Sequence, residues 1–146
     1  MHPSASLGSQ AADGAHVYLL LSGESVLRVA PRVLLVDDDL MICELVELAL
    51  TDEGWDVQTC TDGQAALELL RERAVDLIVL DLMMPGMDAE AFLATWRQQG
   101  AGETPILLLS AAANLDQHAD RLGASDSLAK PFDLDELFRA VRQLVA

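Results

Sequence analysis

Six polar residues stand directly behind short runs that read as strands: Asp37, Asp38, Asp39, Asp81, Ser110 and Lys130. The runs are Val33 to Val36, Leu77 to Leu80, Pro105 to Leu109 and the weaker Ser125 to Ala129. Brought into one crevice, Asp37, Asp38 and Asp81 repel one another, so they either raise their pKa or hold a cation. Mg2+ suits such a set, because it takes one or two carboxylates, keeps waters and accepts phosphate oxygens as further ligands. A carboxylate left as nucleophile can attack phosphorus and form an aspartyl phosphate. The charge on the transferring group then calls for the metal, a lysine ammonium and a hydroxyl donor. Each residue also has a plainer role. Asp37 to Asp39 suit a helix N-terminus, Asp81 could open a turn, Ser110 could cap a helix, and Lys130 could be an ordinary surface lysine. Taken singly, the plain role is preferred; behind four strands at once, it is not.

The element that organises the rest is Val75 to Asp88, VDLIVLDLMMPGMD. Its continuous apolar run is the pattern of a strand covered on both faces of a parallel sheet, broken at Met84-Pro85-Gly86. In an open α/β sheet, ligands bind at the carboxyl ends of the strands, which is where Asp81 stands. The first strand, Val33 to Val36, delivers Asp37 to Asp39 in the same way. A helix follows with Ile42, Leu45, Val46 and Ala49 on one face, stopped at Gly54. Trp55 to Cys60 is a strand, and Thr61 or Asp62 caps a helix to about Arg73. After the Asp81 strand comes a helix from Asp88 to about Gln99, with Ala91, Phe92, Thr95 and Trp96 inward. Pro105 to Leu109 is the fourth strand, Asn114 to Leu122 a short helix stopped by Gly123, and Ser125 to Ala129 a fifth strand leading to Lys130. Asp133 and Glu136 form a capping-box-like start for a last helix with the stripe Leu137, Phe138, Val141, Leu144 and Val145. Five βα units with right-handed crossovers give an α/β, doubly wound, five-stranded parallel sheet with helices on both faces. A 2-1-3-4-5 strand order sets the first and third strands side by side, and with them Asp37, Asp38 and Asp81; periodicity alone does not fix that order.

At 146 residues and 51% apolar content the chain fits one domain with a real core. A formal charge of −15 argues against direct binding to nucleic acid or to an anionic membrane, both of which need a basic face. Cys43 and Cys60 make neither a metal spacing nor a disulfide framework and read as buried thiols of a reducing cytoplasm. Residues 1–30 differ in composition and read as an N-terminal extension ahead of a domain at 31–146: Met1 to His16 read as disordered, and Val17 to Ala30 as a short strand or helix or a loosely docked segment. The apolar run Val17 to Leu21 is too short to span a bilayer, and no Lys or Arg precedes it as a signal peptide requires. The sequence stops with the last helix, so it reads as a stand-alone unit or as a fragment.

The motifs VLLVDDD, LIVLDLMMPGMD, PILLLSA and LAKPFD closely resemble those of the receiver domain of two-component response regulators, over about residues 32–146. The resemblance implies the flavodoxin-like 2-1-3-4-5 order. It implies that Asp81 accepts a phosphoryl group from the phosphohistidine of a sensor histidine kinase or phosphotransfer protein, and that the change is passed to a downstream protein target. It further implies Mg2+ on Asp38, Asp81 and the backbone carbonyl of Met83, with Asp37 acting mainly through a water. Lys130 pairs with the phosphoryl oxygens in such proteins, the Lys130-Pro131 bond is cis, and Ser110 reaches for the phosphoryl group and draws its loop inward. Small Ala111 leaves room for the phosphate. The positions of Met83 and Ala112 tune self-dephosphorylation in that family, and both are apolar here.

Two positions depart from the family. Ala89 stands where Gly is usual. Ser127, three residues before Lys130, stands where Tyr or Phe is usual, so the aromatic rotamer change that reports phosphorylation is unavailable. Two rival readings follow from the residues. Asp37-Asp38-Asp39 also resembles the DxD opening of haloacid-dehalogenase-type phosphatases, but Met41 stands where that family wants Thr or Val, and Asp81 goes unexplained. A degenerate receiver acting only as a protein-binding module is the other, and the intact acids, Ser110 and Lys130 speak against it.

Overall fold

The structure is a computed structural model that describes the backbone of residues 6–10, 15–19 and 25–145. At the start, β1 (Ser6–Gln10), β2 (Ala15–Leu19) and β3 (Ser25–Val29) form an antiparallel sheet in the order β1-β2-β3. Within the stretch expected to be disordered, Ser6–Gln10 and the start of Ala15–Leu19 are described as strand. The remaining positions of that expectation lie outside the described residues. The β-branched and aromatic residues of AHVYL and SVLRV favour extended backbone. SLGSQ has no such bias, and its strand form rests on pairing with β2.

From Arg32 the chain alternates strand and helix: β4 (Arg32–Val36), α1 (Leu40–Asp52), β5 (Asp56–Cys60), α2 (Gly63–Glu72), β6 (Leu77–Asp81), α3 (Ala89–Gln98), β7 (Ile106–Ser110), α4 (Leu115–Leu122), β8 (Asp126–Ala129) and α5 (Leu134–Leu144). The five strands are parallel in the order β5-β4-β6-β7-β8, which is the 2-1-3-4-5 order. Period-two alternation sorts the strand residues onto two cores. Val33, Leu35, Leu77, Val79, Leu107 and Leu109 pack with α1 and α5. Leu34, Val36, Ile78, Leu80, Ile106 and Leu108 pack with α2, α3 and α4. Covered on both sides, β6 and β7 are buried at every position, whereas the edge strand β5 is half-buried throughout.

Aspartate starts four of the helices. Asp39, Asp62, Asp88 and Asp133 each accept a backbone N–H of the first turn, and the Asp133–Glu136 capping box is closed in both directions. Two helix faces are rotated from the expected ones. In α1 the buried set is Cys43, Val46 and Leu50, while Leu45 is exposed. This helix is apolar nearly all round, so spacing offered more than one stripe and the sheet selected another. In α3, Ala89, Phe92, Leu93 and Trp96 are buried and Ala91 faces solvent. There the larger Leu93 takes the place that alanine was expected to fill.

Candidate functional site

Strand register builds the site. Val36 pairs with Leu80 and Asp81 with Leu109, so the chain beyond β4 and the last residue of β6 meet at the carboxyl edge of the sheet. Ser110 pairs with Ala129, which puts Lys130 one step beyond on the neighbouring edge. The Lys130 N–H donates to the Ser110 carbonyl at 2.9 Å. Asp37, Asp81 and Ser110 are the buried polar residues among those described. Asp38 lies exposed on the rim, and Lys130 is half-buried.

Asp37 is fixed from several sides. Its N–H donates to the Cys60 carbonyl at 3.0 Å, and its carbonyl accepts the Cys43 thiol at 3.2 Å. Its Oδ1 accepts the Asp39 N–H at 2.9 Å. Its buried Oδ2 has no well-aligned hydrogen bond, and the cation facing it is Lys130 Nζ at 2.7 Å. Lys130 Nζ is also 3.7 Å from Asp81 Oδ2. Asp81 Oδ1 accepts the Met83 N–H at 3.3 Å, while the Met83 side chain stands out on the rim. The Ser110 hydroxyl oxygen accepts the Ala112 N–H at 3.2 Å. It does not cap the following helix, whose N-cap is Asn114.

Burial, and next the Asp37 carboxylate, push the Asp81 carboxyl above its ordinary range, against the pull of the Met83 N–H and Lys130. Burial alone would lower the Lys130 ammonium, but its contact with Asp37 and the charge on Asp81 outweigh that and hold it above the usual lysine range. Burial, and then Asp37 and Asp39, raise the Cys43 thiol to about 11, so it is no nucleophile near neutrality.

The three carboxylates Asp37, Asp38 and Asp81 offer oxygens that all lie within 4.8 Å of one another. Hard oxygen donors, a buried carboxylate oxygen lacking an aligned partner and a neighbour whose ionisation is disfavoured are what a hard divalent cation corrects. The residues present therefore fit such an ion.

The expected site residues Asp37, Asp38, Asp81, Met83, Ser110 and Lys130 stand on adjoining strand ends of one sheet edge, and the Lys130-Pro131 bond is cis. Asp39 departs from them. It turns away to cap α1, accepting the Met41 and Ile42 N–H groups. Cys43 is buried as expected, but Cys60 is only half-buried, because β5 is an edge strand. The hold of both cysteines on the Asp37 backbone left no mark in their spacing. Nor did the contact between Ser127 and Asp116, in which the Ser127 hydroxyl donates to Asp116 Oδ1 at 2.6 Å.

No helix among the described residues is long and apolar enough to cross a membrane. The sequence model of the response regulator receiver domain matches residues 33–142. The chain is 37% identical over 116 residues to the transcriptional regulatory protein QseB of Escherichia coli O157:H7, covering 78% of this chain and 52% of that one. It is 43% identical over 118 residues to the response regulator protein PmrA of Pseudomonas aeruginosa, covering 77% and 52%. The chain thus spans about half the length of these curated relatives. Among solved structures, the Vibrio cholerae chemotaxis protein CheY4 superposes with a TM-score of 0.73 at 32% identity, over 79% of this chain and 98% of that one. Strand order, the crowded acids with their lysine and these likenesses agree, and the chain belongs to the receiver domain family of two-component response regulators.

Proposed function

We propose that Asp81 is the phosphoacceptor of this receiver, that residues 31–146 form the receiver unit, and that the donor is the phosphohistidine of a sensor kinase or phosphotransfer protein. The observation that supports this most is the placement of Lys130 Nζ between the carboxylates of Asp37 and Asp81 at the edge of a parallel sheet. An Asp81 carboxylate oxygen bonds to phosphorus while the phosphorus–nitrogen bond of the donor breaks and its electron pair stays on the imidazole. Asp37, Asp38, Asp81 and the backbone carbonyl of Met83 are the groups that would hold Mg2+, which when bound neutralises charge on the phosphoryl oxygens. Lys130 supplies a cation to the same oxygens. Ser110, whose hydroxyl oxygen now accepts the Ala112 N–H, can turn to donate to them.

The chain acts as a regulatory phosphoacceptor rather than as an enzyme turning over a substrate, and it reports to a downstream protein in the cytoplasm. Its charge of −15 leaves direct nucleic-acid contact to other molecules or segments. The test is incubation with a small phosphoramidate or acyl phosphate plus Mg2+, read by intact mass. One phosphoryl group should add to the wild type and none to Asp81→Asn. Full addition to Asp81→Asn would place the acceptor elsewhere.

A further inference from the structure

The first turn of α4 is held in an unusual way. Its N-cap, Asn114, sits in the left-handed region at φ 58° and makes no side-chain cap hydrogen bond. Asparagine adopts that backbone more readily than other residues with a Cβ, but the turn lacks the cap that Asp39, Asp62, Asp88 and Asp133 give their helices. What holds it instead comes from the sheet. The Ser127 hydroxyl, in β8, donates to the carboxylate of Asp116, in that first turn, at 2.6 Å. This is the short range of a hydroxyl donating to an ionised acceptor.

Beside the contact lies an open cavity of about 480 Å³, bordered by Ala112, Asn114, Leu115, Asp116, Ser127 and Ala129. It reaches from Ser127 to Ala112, the residue whose N–H holds the Ser110 hydroxyl. The same strand that carries Ser127 runs on to Lys130. β8 thus lies beside the first turn of α4 and leads directly into the acid site at Lys130.

We propose that Ser127–Asp116 is a latch that pins the first turn of α4 to β8 in the unphosphorylated protein, and that it is released when Ser110 turns toward a phosphoryl group on Asp81. Turning the Ser110 hydroxyl breaks its contact with the Ala112 N–H, and the segment from Ala111 to Asn114 then has the cavity to move into. Moving Asn114 carries Asp116 with it, because both belong to the start of the same helix. The switching half of this inference rests on Asp81 being the phosphoacceptor; the latch itself does not.

Hydrogen exchange at the amides of His118 to Asp120 reads the first turn directly, since the His118 N–H donates to the Asn114 carbonyl. In the unphosphorylated protein, Ser127→Ala should raise that exchange about threefold or more, and Ser127→Thr, which keeps the hydroxyl, should return it to the wild-type rate. Asp116→Ala also removes a favourable first-turn charge, so the pair is judged by a cycle: Ser127→Ala added to Asp116→Ala should change nothing further. Wild-type exchange in Ser127→Ala, or additive effects in the cycle, overturns the latch. In protein labelled with a phosphoramidate and Mg2+, the same amides should speed up, and Ser127→Ala should gain little more. A labelled wild type whose first turn stays protected overturns the switching role. A wild type that takes no label overturns the reading of Asp81 and the release step with it, while the unlabelled arm still decides the latch.

Discussion

Lys130 directs its ammonium at Asp37 more closely than at Asp81, with 2.7 Å to the one Oδ2 and 3.7 Å to the other. The cation is therefore engaged mainly by a carboxylate of the same acid cluster. A divalent ion held among Asp37, Asp38 and Asp81 would take over part of that charge and leave Lys130 freer for oxygens at Asp81. Metal occupancy and the availability of the lysine would in this way be coupled through one side chain.

Removing the lysine should expose the cost of that arrangement. Lys130→Ala leaves two buried carboxylates with no facing cation, and breaking a buried pair from one side costs roughly 3–5 kcal/mol. Partial exposure of Lys130 and the disfavoured ionisation of Asp81 place the expected loss near the bottom of that range. Urea unfolding without metal should show it, and saturating Mg2+ should restore part of it. An unchanged midpoint in metal-free buffer would contradict the role of the pair.

Metal should stabilise the wild type by mass action, about 2.7 kcal/mol at a hundred times the dissociation constant. Asp38 is exposed on the rim and offers its carboxylate within the cluster. Asp38→Ala should therefore remove most of the Mg2+-dependent rise in melting temperature, while leaving the metal-free protein as stable or slightly more so. A melting temperature indifferent to millimolar Mg2+ in the wild type rules out the site.

The raised Asp81 carboxyl gives a pH signature with a definite sign. Because the folded protein holds this proton more tightly than the unfolded chain, Asp81 contributes stability fully below the ordinary carboxylate pKa, and that contribution fades as pH rises through the raised folded value. Lys130, also raised, keeps its contribution across this window and loses it only in the alkaline range above the usual lysine pKa. The difference in unfolding free energy between wild type and Asp81→Asn, measured without metal, should therefore tilt toward the wild type as pH falls from neutral to mildly acidic. The difference isolates Asp81 from the other acids of the protein. A flat or opposite tilt would show that burial and Asp37 do not govern this carboxyl.

Most of this site is legible in the sequence, for a physical reason. Strands covered on both faces must be apolar throughout, so Leu77 to Leu80 and Ile106 to Leu109 announce themselves, and a polar residue closing each run has little structural reason to be there. Aspartate caps and the box at Asp133 are equally local. Contacts between elements were not legible. The sheet chose Cys43, Val46 and Leu50 from a helix with apolar residues on several faces, and it chose Leu93 over Ala91. The Ser127–Asp116 hydrogen bond joins a strand to a helix, and nothing in either segment marks it.

The lifetime of the phosphoryl group follows from what borders Asp81. Hydrolysis of an aspartyl phosphate needs a water held in line with phosphorus, and a polar side chain beside the site is the usual means. Met83 stands on the rim, held near the acceptor by its own N–H on Asp81 Oδ1. Ala112 adjoins Ser110 through its N–H. Neither side chain can orient or activate a water, and the thioether chain of Met83 can screen the acceptor from solvent. The phosphoryl group should persist well beyond seconds when the labelled protein is freed of donor and followed by intact mass in Mg2+. Decay within seconds would rule this out. Met83→Asn combined with Ala112→Glu should hasten the loss by supplying polar groups on both sides. Unchanged decay in the double variant would mean that the placement of water does not limit the rate.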